Sequence, residues 1–172
     1  MATEGNSLSE YNPETVQESS SLRIGIVYAE WNSQITHNLR DGAVDTLLKH
    51  GVRQENIVIQ AVPGSYELPL GAQLLLENET LQAVITLGSV IKGETPHFDF
   101  VCQAVAQGIK DVSLKFSIPV IFGVLTDNNM QQSIDRSGGR LGNKGVEAAV
   151  TALRMAWLSK NLKENWGPGK RF

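Results

Sequence analysis

Four short apolar runs, each followed by a segment with helical periodicity, constrain this chain more than any other feature. Residues 22–29 (LRIGIVYA), 56–62 (NIVIQAV), 81–91 (LQAVITLGSVI) and 118–126 (IPVIFGVLT) are rich in β-branched residues and carry little polar alternation. Strands that are apolar on both faces belong to a parallel sheet covered on both sides. The segments between them supply the cover. Residues 33–50 place Ile35, Leu39, Ala43, Val44, Leu47 and Leu48 on one helical stripe that ends at Gly51. Residues 66–77 read as a helix, with Pro69 acceptable only in its first turn. Residues 97–110 carry Val101, Ala104, Val105 and Ile109 on one face. Residues 128–137 form a short helix. Residues 143–162 form a longer one, with Val146, Ala149, Val150, Leu153, Ala156 and Trp157 at i, i+3, i+4, i+7 spacing. The expected fold is an α/β three-layer α/β/α sandwich around a four-stranded, mostly parallel, flavodoxin-like sheet.

At 172 residues the chain is the size of one domain, and it shows no internal repeat. The domain is expected over 22–162. Residues 1–21 are polar and read as a disordered arm, and 163–172 read as a flexible tail. No apolar run approaches the roughly 20 residues of a spanning helix, so no membrane partner is expected. A net charge of −3 and a pI near 5.6 argue against nucleic acid. The single Cys102 forms no internal disulfide and reads as a structural thiol. No signal-peptide pattern opens the chain, and residues 1–21 hold four Glu and no Arg, unlike a transit segment. The cytoplasm is the expected compartment, with an organelle left open.

Ligands of such folds bind at the carboxyl ends of the strands, so the four strand-to-helix connections are where chemistry is sought. After the first strand, Trp31 is either a stacking plate for a planar ligand or a lid on the core. Asn32 or Ser33 is a helix N-cap. After the second, PGSYEL sets Ser65, Tyr66 and Glu67 at a helix start, where a carboxylate either favours the positive helix end or accepts from ligand hydroxyls. After the third, GSVIKGETPHFDF joins a loop to a helix amino terminus, a ready anion site, with His97 beside it. Histidine suits proton transfer near neutral pH. After the fourth, Arg136 stands at a short helix end, where it complements the helix dipole or reaches a ligand phosphate. Phe122, inside the fourth strand, reads as core. The glycine spacing matches neither a phosphate-cradling P-loop nor a dinucleotide fingerprint. No residue set has metal-ligand spacing, and no nucleophile elbow occurs.

Four segments, PGSYELP, LGSVIKGETPHFDF, IPVIFGVLT and RSGGRLGNKGVEAA, stand in the order and at the spacing of the lumazine synthases. The resemblance runs from about residue 22 to 159. It implies a cofactor-free, metal-free condensation with two small-molecule substrates, 5-amino-6-(D-ribitylamino)uracil and 3,4-dihydroxy-2-butanone 4-phosphate. The products would be 6,7-dimethyl-8-ribityllumazine, phosphate and water, in the penultimate step of riboflavin biosynthesis. By position, Trp31 would stack on the pyrimidine, and Ser65, Tyr66 and Glu67 would surround the ribityl chain. Ser89, Val90 and Ile91 would offer backbone contacts, and Glu94 and Thr95 would form the phosphate turn. His97 would move protons. Phe122 and Arg136 would come from a neighbouring subunit, the arginine to bind phosphate. Asn32, and the pair Lys144 and Glu147, would lie near the site. Glu94 fits an anion turn only with its side chain pointing out. Pro96 has no N–H to give, so phosphate would lean on Thr95 and Arg136. The resemblance further implies a homopentamer. The short GGRLGNKG connection matches members that close into sixty-subunit icosahedral shells, and a functional link to riboflavin synthase is compatible. A non-catalytic flavin-binding protein or a purely shell-forming protein are the rival readings.

Overall fold

The computed structural model describes residue 7 and residues 9–165. Four strands, β1 (Ile24–Ala29), β2 (Ile57–Val62), β3 (Ala83–Ile91) and β4 (Val120–Asp127), form one parallel sheet in the order β2-β1-β3-β4. Helices α1 (Ser33–Lys49), α2 (Leu68–Asn78) and α3 (His97–Phe116) make the three crossovers. After β4 come the short helix α4 (Met130–Arg136), the hairpin β5 (Ser137–Gly139) and β6 (Gly142–Asn143), and the long helix α5 (Lys144–Asn165).

Period-two alternation divides the apolar residues into two cores. Ile24 and Ile26 of β1 and Ala83, Ile85 and Leu87 of β3 face α1 and α5, where Ile35, Leu39, Ala43, Leu47, Ala149 and Leu153 meet them. Val27, Val84, Val120 and Val124 face the other way, against Leu68, Ala72, Val105, Ile109 and Val112 of α2 and α3. This is the three-layer sandwich expected from the sequence. Pro69 falls in the first turn of α2, the one place it fits.

Three expectations are corrected. Helix α3 runs to Phe116 instead of ending near 110, because Val112 continues its buried face and Ser117 ends it in the left-handed conformation. The short GGRLGNKG connection before α5, to which the sequence assigns no element, contains the β5–β6 hairpin, permitted by the positive φ of Gly138 and Gly142. Residues 9–21, expected as a disordered arm, lie against the domain. Val16 and Ser19 are buried, and Trp157 Nε1 donates to Ser19 Oγ at 3.1 Å. The Tyr11 hydroxyl meets His50 Nε2 at 2.9 Å, and Ser19 N–H donates to the His50 carbonyl at 3.0 Å. The segment is polar in composition, yet each of its few buried groups finds a partner on the domain. The remainder of the expected arm, 1–6 and 8, lies outside the described residues. So does the tail from residue 166.

Candidate active site

From β1 the chain turns to α1 on one face and its partner β2. From the neighbouring β3 it turns to α3 on the opposite face. The connections after β1 and β3 therefore part, and a crevice opens between them at the carboxyl ends of the strands.

Asn32 spans this parting. Its backbone is left-handed (φ 59°, ψ 46°), a conformation asparagine tolerates better than most residues. It stands at the N-cap position of α1, but its side chain does not cap the helix. Nδ2 donates instead to the Ser89 carbonyl on β3, at 3.0 Å. On the other side, Glu30 N–H donates to the Val62 carbonyl (2.8 Å) and Trp31 N–H to the Pro63 carbonyl (3.1 Å). These bonds fix the backbone on both sides while 73% of Trp31 stays exposed.

The turn after β2 folds over β3 because Gly88 lies beneath it. A Cβ at residue 88 would come within 2.6 Å of Ser65 Oγ and 2.9 Å of Leu68 Cδ1. Ser65 is buried there, whereas Tyr66 is exposed. A cavity of about 260 Å³ results, lined by Trp31, Asn32, Gly64, Ser65, Ser89, Val90, Ile91, His97 and Val101. A second, of about 450 Å³, shares His97 and Val101 and adds Tyr66, Phe100 and Ala104. His97 is the first residue of α3, so the two cavities meet at that helix's positive end. Glu94, Thr95 and Pro96 are exposed before it, and Lys92 N–H anchors the loop to the Asp127 carbonyl at 2.9 Å.

The site residues expected from the sequence divide into two groups. Trp31, Asn32, Ser65, Ser89, Val90, Ile91 and His97 surround one cavity, with Tyr66 on the adjoining one. Glu67 is half-buried below the turn. Glu67, Glu94, Thr95, Phe122, Arg136, Lys144 and Glu147 line neither cavity. Phe122, read as core, is instead 37% exposed, because β4 is an edge strand. Lys144 pairs with Glu147 in the first turn of α5. Arg136 Nη1 donates to the Gln132 carbonyl (3.1 Å) and lies 3.5 Å from Asp127 Oδ1. A larger hollow, about 500 Å³, lies at the opposite end of the sheet beside Leu22, Gln82, Ile118 and Lys160, and no expected site residue borders it.

Sequence reasoning missed Gly64, Val101, Phe100 and Ala104. Val101 and Ala104 were assigned to the buried face of α3, yet they stand four and seven residues after His97 and share its side of the helix. It also missed Asp127 and Ser133, both buried near Arg136. A lone carboxylate closing an apolar strand was the available signal. Among the described residues no cluster of His, Cys, Asp and Glu is arranged to hold a metal.

Fold and crevice define a flavodoxin-like α/β protein with a cavity where its strand order reverses. The family model for 6,7-dimethyl-8-ribityllumazine synthase matches residues 21–160. A protein of that name from Parabacteroides distasonis is 57% identical over 159 residues, covering 92% of this chain and 99% of its own. Those from Christiangramia forsetii (53% over 164 residues, 95% and 98% covered) and Porphyromonas gingivalis (52% over 160 residues, 93% and 99% covered) are similarly related. This chain belongs to the 6,7-dimethyl-8-ribityllumazine synthase family.

Proposed function

We propose that the chain condenses 5-amino-6-(D-ribitylamino)uracil with 3,4-dihydroxy-2-butanone 4-phosphate, giving 6,7-dimethyl-8-ribityllumazine and inorganic phosphate. Two waters leave, one from each amine–carbonyl condensation. The observation that carries this reading is the cavity joining exposed Trp31 to His97 in a chain of this family.

The uracil ring stacks on Trp31, and its ribityl chain lies along Ser65, Tyr66 and Glu67. The carbonyls and N–H groups of Ser89, Val90 and Ile91 meet the ring edge. Phosphate rests on the turn of Glu94 and Thr95 at the start of α3, where helix N–H groups favour an anion, and on Arg136. The 5-amino group attacks the ketone, and the carbinolamine loses water. Loss of a proton from carbon and departure of phosphate give an enol, which becomes the second carbonyl. The ribitylamino nitrogen closes the ring on it. His97 carries protons between these steps. Holding both substrates in line supplies several kcal/mol of the barrier, and the arginine and turn stabilise the leaving phosphate.

Arg136 and Phe122 line neither cavity of the single chain, and Tyr66, Leu70, Phe100 and Leu114 are exposed. Both facts support a site completed by a second copy in a homopentamer, with the short connection before α5 favouring a sixty-subunit shell. Lys144 and Glu147 would border that shared site. We assign the enzyme to the cytoplasm and allow it a functional link to riboflavin synthase. Incubation with both substrates, following lumazine absorbance and phosphate release together, tests the reading. A protein that binds flavin yet releases neither product is a binding module instead.

A further inference from the structure

Asp127 ends β4 as a carboxylate with only 7% of its side chain exposed. A carboxylate removed from water needs a cation and hydrogen bonds around it. Arg136 is its salt-bridge partner among the described residues, with Nη1 at 3.5 Å from Oδ1. Ser133 Oγ donates to Oδ2 at 2.8 Å. Since the one Ser133 proton goes to Asp127, the contact of 3.3 Å between Ser133 Oγ and Ser89 Oγ makes Ser89 the donor there. Ser89 is the residue whose carbonyl holds Asn32 in the crevice. A chain of three buried side chains, Ser89, Ser133 and Asp127, thus runs from the crevice floor to the guanidinium.

Arg136 Nη1 is committed inward, to Asp127 and the Gln132 carbonyl. Nε and Nη2 have no hydrogen-bond partner among the described residues. A guanidinium recognises phosphate through two parallel N–H groups of one edge. With Nη1 fastened, the Nε–Nη2 edge is the one left for a ligand. We propose that Asp127 is the positioning residue of Arg136. It holds the guanidinium so that its free edge receives the phosphate of the substrate in the neighbouring chain's crevice, and through Ser133 and Ser89 it ties that arginine to the crevice of its own chain. This rests on the reading of Arg136 as the phosphate ligand. Charge alone argues the reverse effect, because a carboxylate beside Arg136 weakens its field at a phosphate. The two effects have opposite signs in an experiment.

Steady-state kinetics with each substrate varied in turn, on Asp127→Asn, Arg136→Ala, the double variant and Ser133→Ala, separates them. In Asp127→Asn the KM for the phosphorylated ketone should rise about tenfold, a coupling common between contacting residues. Inhibition by inorganic phosphate should weaken in parallel, while kcat and the KM for the aminouracil stay within about twofold. In the Arg136→Ala background the Asp127 substitution should add nothing. Ser133→Ala, which keeps the ion pair, should move the same KM in the same direction by less. It decides the matter if Asp127→Asn does not fold. A fall in that KM, an equal rise in both KM values, or an undiminished effect without Arg136 overturns the proposal, as does an unchanged KM in a Ser133→Ala protein standing alone. If Arg136→Ala itself leaves the KM for the phosphorylated ketone unchanged, the phosphate reading of Arg136 fails first and the positioning role with it.

Discussion

His97 and Asn32 do different work within one cavity, and substitution separates them. His97 is exposed at the first position of α3 and is assigned proton transfer. His97→Ala should lower kcat by about 10²–10⁴-fold, the usual worth of general acid–base help, without abolishing turnover. Residual rate comes from positioning, which the variant keeps. An unaltered rate and pH–rate profile would remove His97 from the mechanism. Asn32 is structural in the first instance. Asn32→Ala loses the bond to the Ser89 carbonyl and keeps a Cβ in the left-handed region, which costs roughly 1–2 kcal/mol on its own. Asn32→Gly loses the same bond without that strain. Urea unfolding should therefore rank wild type above Gly and Gly above Ala. Equal stabilities for the two variants would mean that the backbone there is not held as described. At this scale the sequence was legible in placement, where a residue type suggests a chemistry and a position suggests a strand end, as for Trp31 and His97, which line one cavity. It was not legible for Asp127 or Ser133, whose importance lies in contacts formed only when β4 and α4 fold back on each other.

At the scale of elements, the apolar runs and helical stripes determined the sheet and its cover, because burial on both faces leaves a parallel strand little choice of sequence. The polar segment 9–21 was misjudged for the same reason. Composition counts apolar groups, whereas this segment is held by a few well-placed ones and by His50. Burying Val16 contributes about 1.5–3 kcal/mol, so Val16→Ala should lower global stability by about 1–3 kcal/mol. His50 also gives the segment a pH dependence. Burial, and then the nearby Lys49 charge, hold its pKa below the ordinary value of 6.5. The folded state thus binds a proton less readily than the unfolded one. The stability associated with a neutral His50 is complete above about pH 6.5 and is lost as the pH falls through the lower, folded value. Replacing it by Gln should flatten the stability–pH curve below about pH 6.5 while leaving the slope above it unchanged. An identical curve in the variant would place the acid sensitivity elsewhere.

The whole molecule raises the question of where one site begins and the next ends. Within one chain the residues around the crevice form a continuous wall from Trp31 to His97, while Arg136 faces Asp127 and lines neither cavity. If each site joins the crevice of one chain to the arginine of its neighbour, a ring built by head-to-tail contacts repeats this pairing at every interface. Suppose His97→Ala and Arg136→Ala chains are denatured together and refolded in equal amounts. A site is intact when its His97 side comes from an Arg136→Ala chain and its Arg136 side from a His97→Ala chain. Random mixing makes that about one half times one half, or roughly one site in four, for head-to-tail contacts. The mixture should then recover close to a quarter of wild-type activity, well above either variant refolded alone. Residues sharing a site within one chain can never be restored this way, since every crevice would carry one defect or the other. Activity equal to the mean of the two parents, in a mixture whose chains have been shown by mass measurement to exchange, would return Arg136 to its own chain's site and remove the main support for a shared one.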